Sequence, residues 1–141
     1  MSPLSHNLQN VLKQTGYSLT KARNLVFSSL QNQEPQTMNQ LIAACGSAID
    51  RASVYRTVAL FEKLGIVQRL QIGWKYKLEL SDSFHIHHHH LTCNNCGTIA
   101  PLHEDPELEN RLLRLASGES FTPTSHQIEI RGLCHPCSIP K

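Results

Sequence analysis

Two Cys-x-x-Cys pairs, Cys93/Cys96 and Cys134/Cys137, mark the second half of the chain, and a run of four histidines, His87 to His90, stands just before the first pair. Thiolates and imidazoles are soft to borderline ligands, so metal binding is the chemistry this concentration points to. Each pair offers two thiolates from one tight turn, and two such knuckles brought together make the four-sulfur tetrahedron that zinc favours in structural sites. The turn residues agree: Asn94-Asn95 lie inside the first pair with Gly97 after it, and His135-Pro136 lie inside the second. A redox disulfide is the competing chemistry for either pair alone. Two pairs in a chain with no signal-peptide pattern favour a reduced compartment and a metal. Cys45 follows the apolar stretch Leu41-Ile42-Ala43-Ala44 and reads as a half-buried thiol.

If residues 87–90 are extended, alternation sends His87 and His89 to one face and His88 and His90 to the other, so one run can serve two metal sites. Each pair of imidazoles needs partners from elsewhere in the chain. Glu79, Glu109 and His126 are the available oxygen and nitrogen donors. The competing reading is a flexible histidine-rich loop that takes up metal adventitiously.

The elements that must hold these residues fall into two parts. Of the 141 residues 40% are hydrophobic, enough for one ordinary core or two small ones, and no apolar run approaches membrane-spanning length. The expectation is a soluble cytoplasmic protein. The net charge of +2 hides an asymmetry, because Lys and Arg dominate residues 1–80 whereas Asp and Glu dominate residues 81–141. The first part is therefore the polyanion-binding candidate and the second the metal-binding one. We expect domains at 1–80 and 85–141, joined by a linker at 81–84 that begins Ser81-Asp82-Ser83.

In the first part, Leu8, Val11 and Leu12 form an apolar stripe ending at Gly16, and Thr20 caps a second helix carrying Ala22, Leu25, Val26 and Leu30. A third helix starts at Thr37, with Gln40 at the capping-box position. The fourth starts at Asp50 and stops at Gly65; its stripe Val54, Val58, Phe61 and Leu64 turns Ala52, Tyr55, Arg56, Ala59 and Lys63 outward together. A period-two alternation then runs on either side of Gly73 from Ile66 to Leu80. Helices followed by a basic hairpin are the parts of a winged helix-turn-helix, whose recognition helix enters the major groove while Arg69, Lys75 and Lys77 on the wing reach the backbone. Arg51, Ser53, Tyr55, Arg56 and Lys75 are the candidate DNA contacts.

The second part reads as strands on either side of the first knuckle, a helix opened by Asp105-Pro106-Glu107 with the stripe Leu108, Leu112 and Leu115, and a strand over 126–131. The fold class expected overall is α+β.

The order Leu19-Thr20-Lys21-Ala22-Arg23, Ala52-Ser53-Val54-Tyr55-Arg56, Glu79, His87 to Cys96-Gly97, Glu109, His126 and Gly132-Leu133-Cys134-x-x-Cys137 resembles the ferric uptake regulator family of bacterial metal-responsive repressors over almost the whole chain. The resemblance implies an N-terminal winged helix-turn-helix domain, a C-terminal α/β dimerisation domain stapled by zinc on Cys93, Cys96, Cys134 and Cys137, and a homodimer on a pseudo-palindromic operator. It implies a sensing site between domains at Glu79, His88 and His90, and a second regulatory site at His87, His89, Glu109 and His126. The regulatory metal implied is divalent iron, zinc or manganese, and the function implied is repression of metal-uptake or homeostasis genes, without enzymatic activity. Two positions depart from the family pattern. Gln33-Glu34-Pro35-Gln36 lacks a histidine commonly found before the third helix, leaving Glu34 as its only substitute, and Pro101 stands where a carboxylate is common. A peroxide sensor using ferrous iron is the variant reading within the family; a zinc hydrolase or a metal-storage protein is the reading from another class. Against the hydrolase, the chain has no His-Glu-x-x-His motif.

Overall fold

The computed structural model describes residues 3–31, 34–72, 74–84, 87–124 and 126–140. They form two compact units, residues 1–86 and 87–141.

Helix ends in the first unit sit where side chains can satisfy the backbone. Helix α1 spans Pro3–Gln14, α2 Lys21–Leu30, α3 Met38–Cys45 and α4 Arg51–Lys63. Thr20 accepts from the Arg23 N–H at the start of α2, and Thr37 and Gln40 complete a capping box at α3. Asp50 accepts from the Ser53 N–H at the start of α4. Each cap satisfies N–H groups that the first turn of a helix leaves without partners. Gly65 follows α4 at φ 73°, in the left-handed region that glycine reaches without steric cost.

The buried faces meet in one core of Leu8, Leu12, Val26, Phe27, Leu30, Leu41, Val54, Val58, Phe61, Ile66 and Leu78, among others. Phe27, which the helical stripe of α2 did not include, is fully buried, and its ring meets Phe84 edge to face at 5.4 Å. Strands β1 (Val67–Ile72) and β2 (Lys75–Leu80) pair antiparallel as the expected hairpin. Gln36 and Leu78 exchange backbone hydrogen bonds at 3.0 and 2.6 Å, which tie the wing to the approach to α3.

The expected linker at 81–84 is corrected. Residues Asp82–Phe84 form a 3-10 turn whose Phe84 is buried in the first core. A phenylalanine that finds an apolar cavity carries its neighbours with it, and the division between units falls after residue 86.

In the second unit, β3 (His88–Cys93) lies between β4 (Ile99–His103), antiparallel to it, and β5 (Glu129–Gly132), parallel to it. Helix α5 spans Pro106–Gly118, with Asp105 accepting from the N–H groups of Glu107 and Leu108. A short helix α6, His135–Ser138, follows Cys134. The expected strand over 126–131 begins only at Glu129, and residues 126–128 lie outside it. The apolar stripe expected to pack α5 does not become a core here, since Leu108 and Leu115 remain exposed and Leu112 is only half-buried.

Candidate metal centres and DNA-facing surface

Cys93 ends β3 and Cys96 closes the turn after it, with Gly97 at φ 75° returning the chain into β4. Cys134 and Cys137 flank the first turn of α6. Parallel pairing of β5 with β3 brings Gly132 opposite Cys93, which delivers the second knuckle to the first. All four cysteines are free thiols, and their sulfurs lie within 4.8 Å of one another. The Sγ atoms of Cys96 and Cys134 are 3.7 Å apart. A zinc–sulfur bond of about 2.3 Å gives a tetrahedron whose edge is about 3.8 Å, so this spacing fits a zinc ion.

The electrostatics agree with the distances. Backbone hydrogen bonds from Cys134 and then Cys96 lower the Cys93 thiol to about 6. At Cys134 a backbone hydrogen bond from Cys137 lowers the pKa, but the neighbouring sulfurs and burial prevail and push it up to about 12. One thiolate forms readily while the sulfurs crowded around it resist further charge, and a divalent cation relieves that repulsion. Polar groups also reach the sulfurs. Asn95 Nδ2 donates to Cys137 Sγ at 3.3 Å, from one knuckle to the other, and the Cys96 thiol lies 3.1 Å from Thr98 Oγ1. The sequence marks Asn95 only as a turn residue and Thr98 only as part of a strand; their reach to the sulfurs belongs to the fold.

The second cluster is held by β3, α5 and the segment before β5. His87, His89, Glu109 and His126 offer ligand atoms within 4.8 Å of one another. His89 is almost completely buried and its Nε2 lies 2.5 Å from Glu109 Oε1; His87 Nε2 is 3.5 Å from Glu109 Oε2, and His126 Nε2 also meets that oxygen. Burial is the largest single influence on Glu109 and raises its pKa. Hydrogen bonds and charge from His89 and His126 together outweigh it, holding the carboxyl below its ordinary value. The Ile128 N–H donates to His89 Nδ1 at 3.2 Å, which places the ring proton on Nε2, facing the carboxylate. A cation that takes Nε2 must displace that proton. Three imidazoles and one carboxylate converging in a mostly buried space suit a divalent transition metal.

On the other face of β3, the rings of His88 and His90 lie 4.7 Å apart, with His90 buried. The alternation inferred for the histidine run is thus present in the strand. Glu79 lies on β2 of the first unit, a buried carboxylate that accepts from Gln68 Nε2 at 2.6 Å.

The outward face of α4 carries Tyr55, Arg56 and Arg51, all exposed. Arg51 lies 5.7 Å over the Tyr55 ring and donates to Asn39 at 3.4 Å, while Arg56 Nη2 donates to Ser53 Oγ at 3.1 Å. Lys75 is exposed at the start of β2, beside the fully exposed Trp74. Arg69, expected to reach a DNA backbone, is instead engaged on its own unit. Its Nε donates to both Glu62 carboxylate oxygens at 2.9 Å, and its guanidinium lies 4.1 Å over the Tyr76 ring. An acid one helix away and an aromatic face capture it more cheaply than extension into solvent.

Comparison with known proteins gives this assembly a context. Residues 14–131 match the ferric uptake regulator family. The ferric uptake regulation protein of Bordetella parapertussis is 33% identical over 135 residues, spanning 92% of this chain and 95% of that protein. The crystal structure of the Vibrio cholerae ferric uptake regulator is 30% identical with a TM-score of 0.69, covering 89% of this chain and 98% of that one. The Helicobacter pylori ferric uptake regulator, described as having three functional metal binding sites, superimposes with a TM-score of 0.77 over 98% of this chain and 93% of its own; at 23% identity that likeness speaks for the fold. A sequence match running from the end of α1 to β5, together with a shared fold, makes this chain a member of the ferric uptake regulator family of metal-responsive transcriptional regulators.

Proposed function

We propose that this regulator is a repressor of metal-uptake genes in which metal bound on β3 controls the grip of α4 on an operator. The observation that carries the reading is the sorting of the histidine run at the start of β3 onto two faces, His87 with His89 and His88 with His90, shortly before the first cysteine pair. Zinc on Cys93, Cys96, Cys134 and Cys137 fastens the end of the chain to β3 and gives the strand a fixed frame. His87, His89, Glu109 and His126 form the second regulatory site. His88 and His90 share the sensing metal with Glu79 of the first unit, whose burial and hydrogen bond from Gln68 leave it preoriented.

Bound there, a divalent ion supplies a cross-link between ligands of the two units. The chain does the rest. Tyr55, Arg51, Arg56 and Ser53 present hydroxyl and guanidinium groups to base edges and phosphates, and Lys75 adds a backbone contact from the wing. Without the cross-link the units sample many relative angles, and two recognition helices match two half-sites only rarely. The regulator acts as a homodimer on a pseudo-palindromic operator. Supporting this, Leu113, Leu115, Phe121, Ile130 and Leu133 of the second unit are exposed, an apolar surface of the kind that a second copy covers. Reduced thiols suit the cytoplasm. Among the described residues no helix is long and apolar enough to cross a membrane.

The test is a gel shift of pooled promoter fragments from the source genome with chelated protein, restoring ferrous iron, zinc or manganese separately. Specific retention with one metal names the effector and its regulon. Retention that ignores every metal, or none at all, overturns the reading. In His90→Ala, metal-dependent retention is expected to vanish while the dimer stays folded; an unchanged metal response defeats the assignment of His90.

A further inference from the structure

Arg23 belongs to neither metal cluster nor the outward face of α4, yet it is held as firmly as a functional side chain. Its Nη1 donates to the Ser18 carbonyl at 2.6 Å, and its guanidinium lies 5.5 Å over the Tyr17 ring. Together these contacts fix the plane of the group. Arg23 and Arg56 line the same open cavity of about 340 Å³, and the hydroxyl-bearing residues Tyr17, Thr20, Ser53 and Thr57 are among its other walls. None of the residues lining that cavity is acidic. Asp50, whose carboxyl feels Arg56, is occupied in capping α4. Arg56 itself is braced by Ser53 Oγ at 3.1 Å.

The cavity also opens at the N-terminal end of α2, where Thr20 caps the helix and the first-turn N–H groups and the helix dipole favour an anion. Two braced guanidiniums, hydroxyl-bearing neighbours and a helix N-terminus at one concavity form an arrangement suited to a tetrahedral oxyanion. Its position decides which one. The cavity shares Arg56 and Ser53 with α4, so an anion held there lies beside whatever α4 reads.

We propose that this notch is a phosphate clamp: Arg23, with Arg56 opposite, grips one phosphodiester of the operator backbone and sets how deeply α4 enters the major groove. The inference rests on the DNA-binding reading above and adds a residue and a role to it. A phosphate contact positions the helix without reading sequence, so it strengthens binding to any duplex equally. It also releases counterions, and its loss flattens the salt dependence of binding.

The experiment compares the parent, Arg23→Gln and Arg23→Lys by fluorescence anisotropy, with metal present, on a labelled promoter duplex that the parent retains and on a random-sequence duplex, across a range of salt. Circular dichroism and zinc content check that each variant is folded. For Arg23→Gln we expect roughly tenfold weaker binding to both duplexes, an unchanged ratio between them, and a salt slope smaller by about one. Arg23→Lys keeps the charge but not the planar fork; we expect the parent's slope with several-fold weaker binding, and this variant carries the test if the glutamine variant does not fold. The clamp is overturned by an unchanged slope in Arg23→Gln, by a lysine variant that loses the slope as well, or by a lysine variant with parental affinity. A parent that retains no promoter duplex with any metal instead defeats the DNA-binding reading itself.

Discussion

His89 Nε2 lies 2.5 Å from Glu109 Oε1, joining the start of β3 to the first turn of α5. The contact places a carboxylate in the one direction that a buried imidazole needs it, and it makes a strand and a helix two walls of the proposed second metal site. Among the described residues of α5, Glu109 alone is fully buried, while Leu112 and Ala116 are half-buried. The Glu109 carboxylate is therefore a main tie between this helix and β3.

That dependence predicts the behaviour of Glu109→Gln. The amide keeps the shape but loses the charge that outweighs burial, so affinity for metal at this cluster is expected to fall by at least about 10–100-fold. Calorimetric titration of protein that retains its structural zinc checks this. Binding stoichiometry and affinity equal to the parent's would dissociate Glu109 from the site.

Cys134→Ser should act on the whole second unit. Structural zinc in small domains contributes on the order of 10 kcal/mol to folding, and the second unit has little apolar core to compensate. Expected are loss of zinc by elemental analysis and rapid proteolysis within residues 87–141, with the first unit intact. A variant that keeps zinc at parental stoichiometry counts against the four-sulfur assignment.

The cap of α4 carries a pH signature. Hydrogen bonds from Ser53, the side chain first, lower the Asp50 pKa below 3.8, with Arg56 adding to the effect. A carboxylate whose folded pKa is depressed contributes stability that is fully present above its unfolded value and is lost as pH falls through the folded one. Asn also caps helices well but does not titrate. The difference in melting temperature between the parent and Asp50→Asn should therefore be flat above about pH 5 and shift against the parent below about pH 4. A difference that stays constant to pH 3 removes this role.

Phe61→Ala tests the independence of the two units. Phe61 is fully buried in the first core, and its truncation is expected to cost about 3–5 kcal/mol. Differential scanning calorimetry should show the first unit melting earlier while zinc stoichiometry is unchanged. Simultaneous loss of zinc would mean that the units fold as one.

Local chemistry made much of this protein legible without coordinates. The caps Thr20, Thr37, Asp50 and Asp105 act within three residues of themselves, so their positions alone determined where helices begin. Strand alternation likewise sorted His87 and His89 from His88 and His90, because successive side chains leave a strand in opposite directions. The cysteine spacing marked the four sulfurs that converge, because each pair holds two thiols on one tight turn. Tertiary structure decided what depends on groups distant in sequence. Phe84 left the expected linker for the first core, Arg69 turned to Glu62 and Tyr76, and Leu108 and Leu115 of the α5 stripe stayed exposed. The parallel pairing of β5 with β3 brought the two knuckles together, and Arg23 came to share a cavity with Arg56. Spacing along the chain encodes which face a side chain takes, but which partner it meets there is set by the packing of other segments, and that information is written across the whole sequence at once.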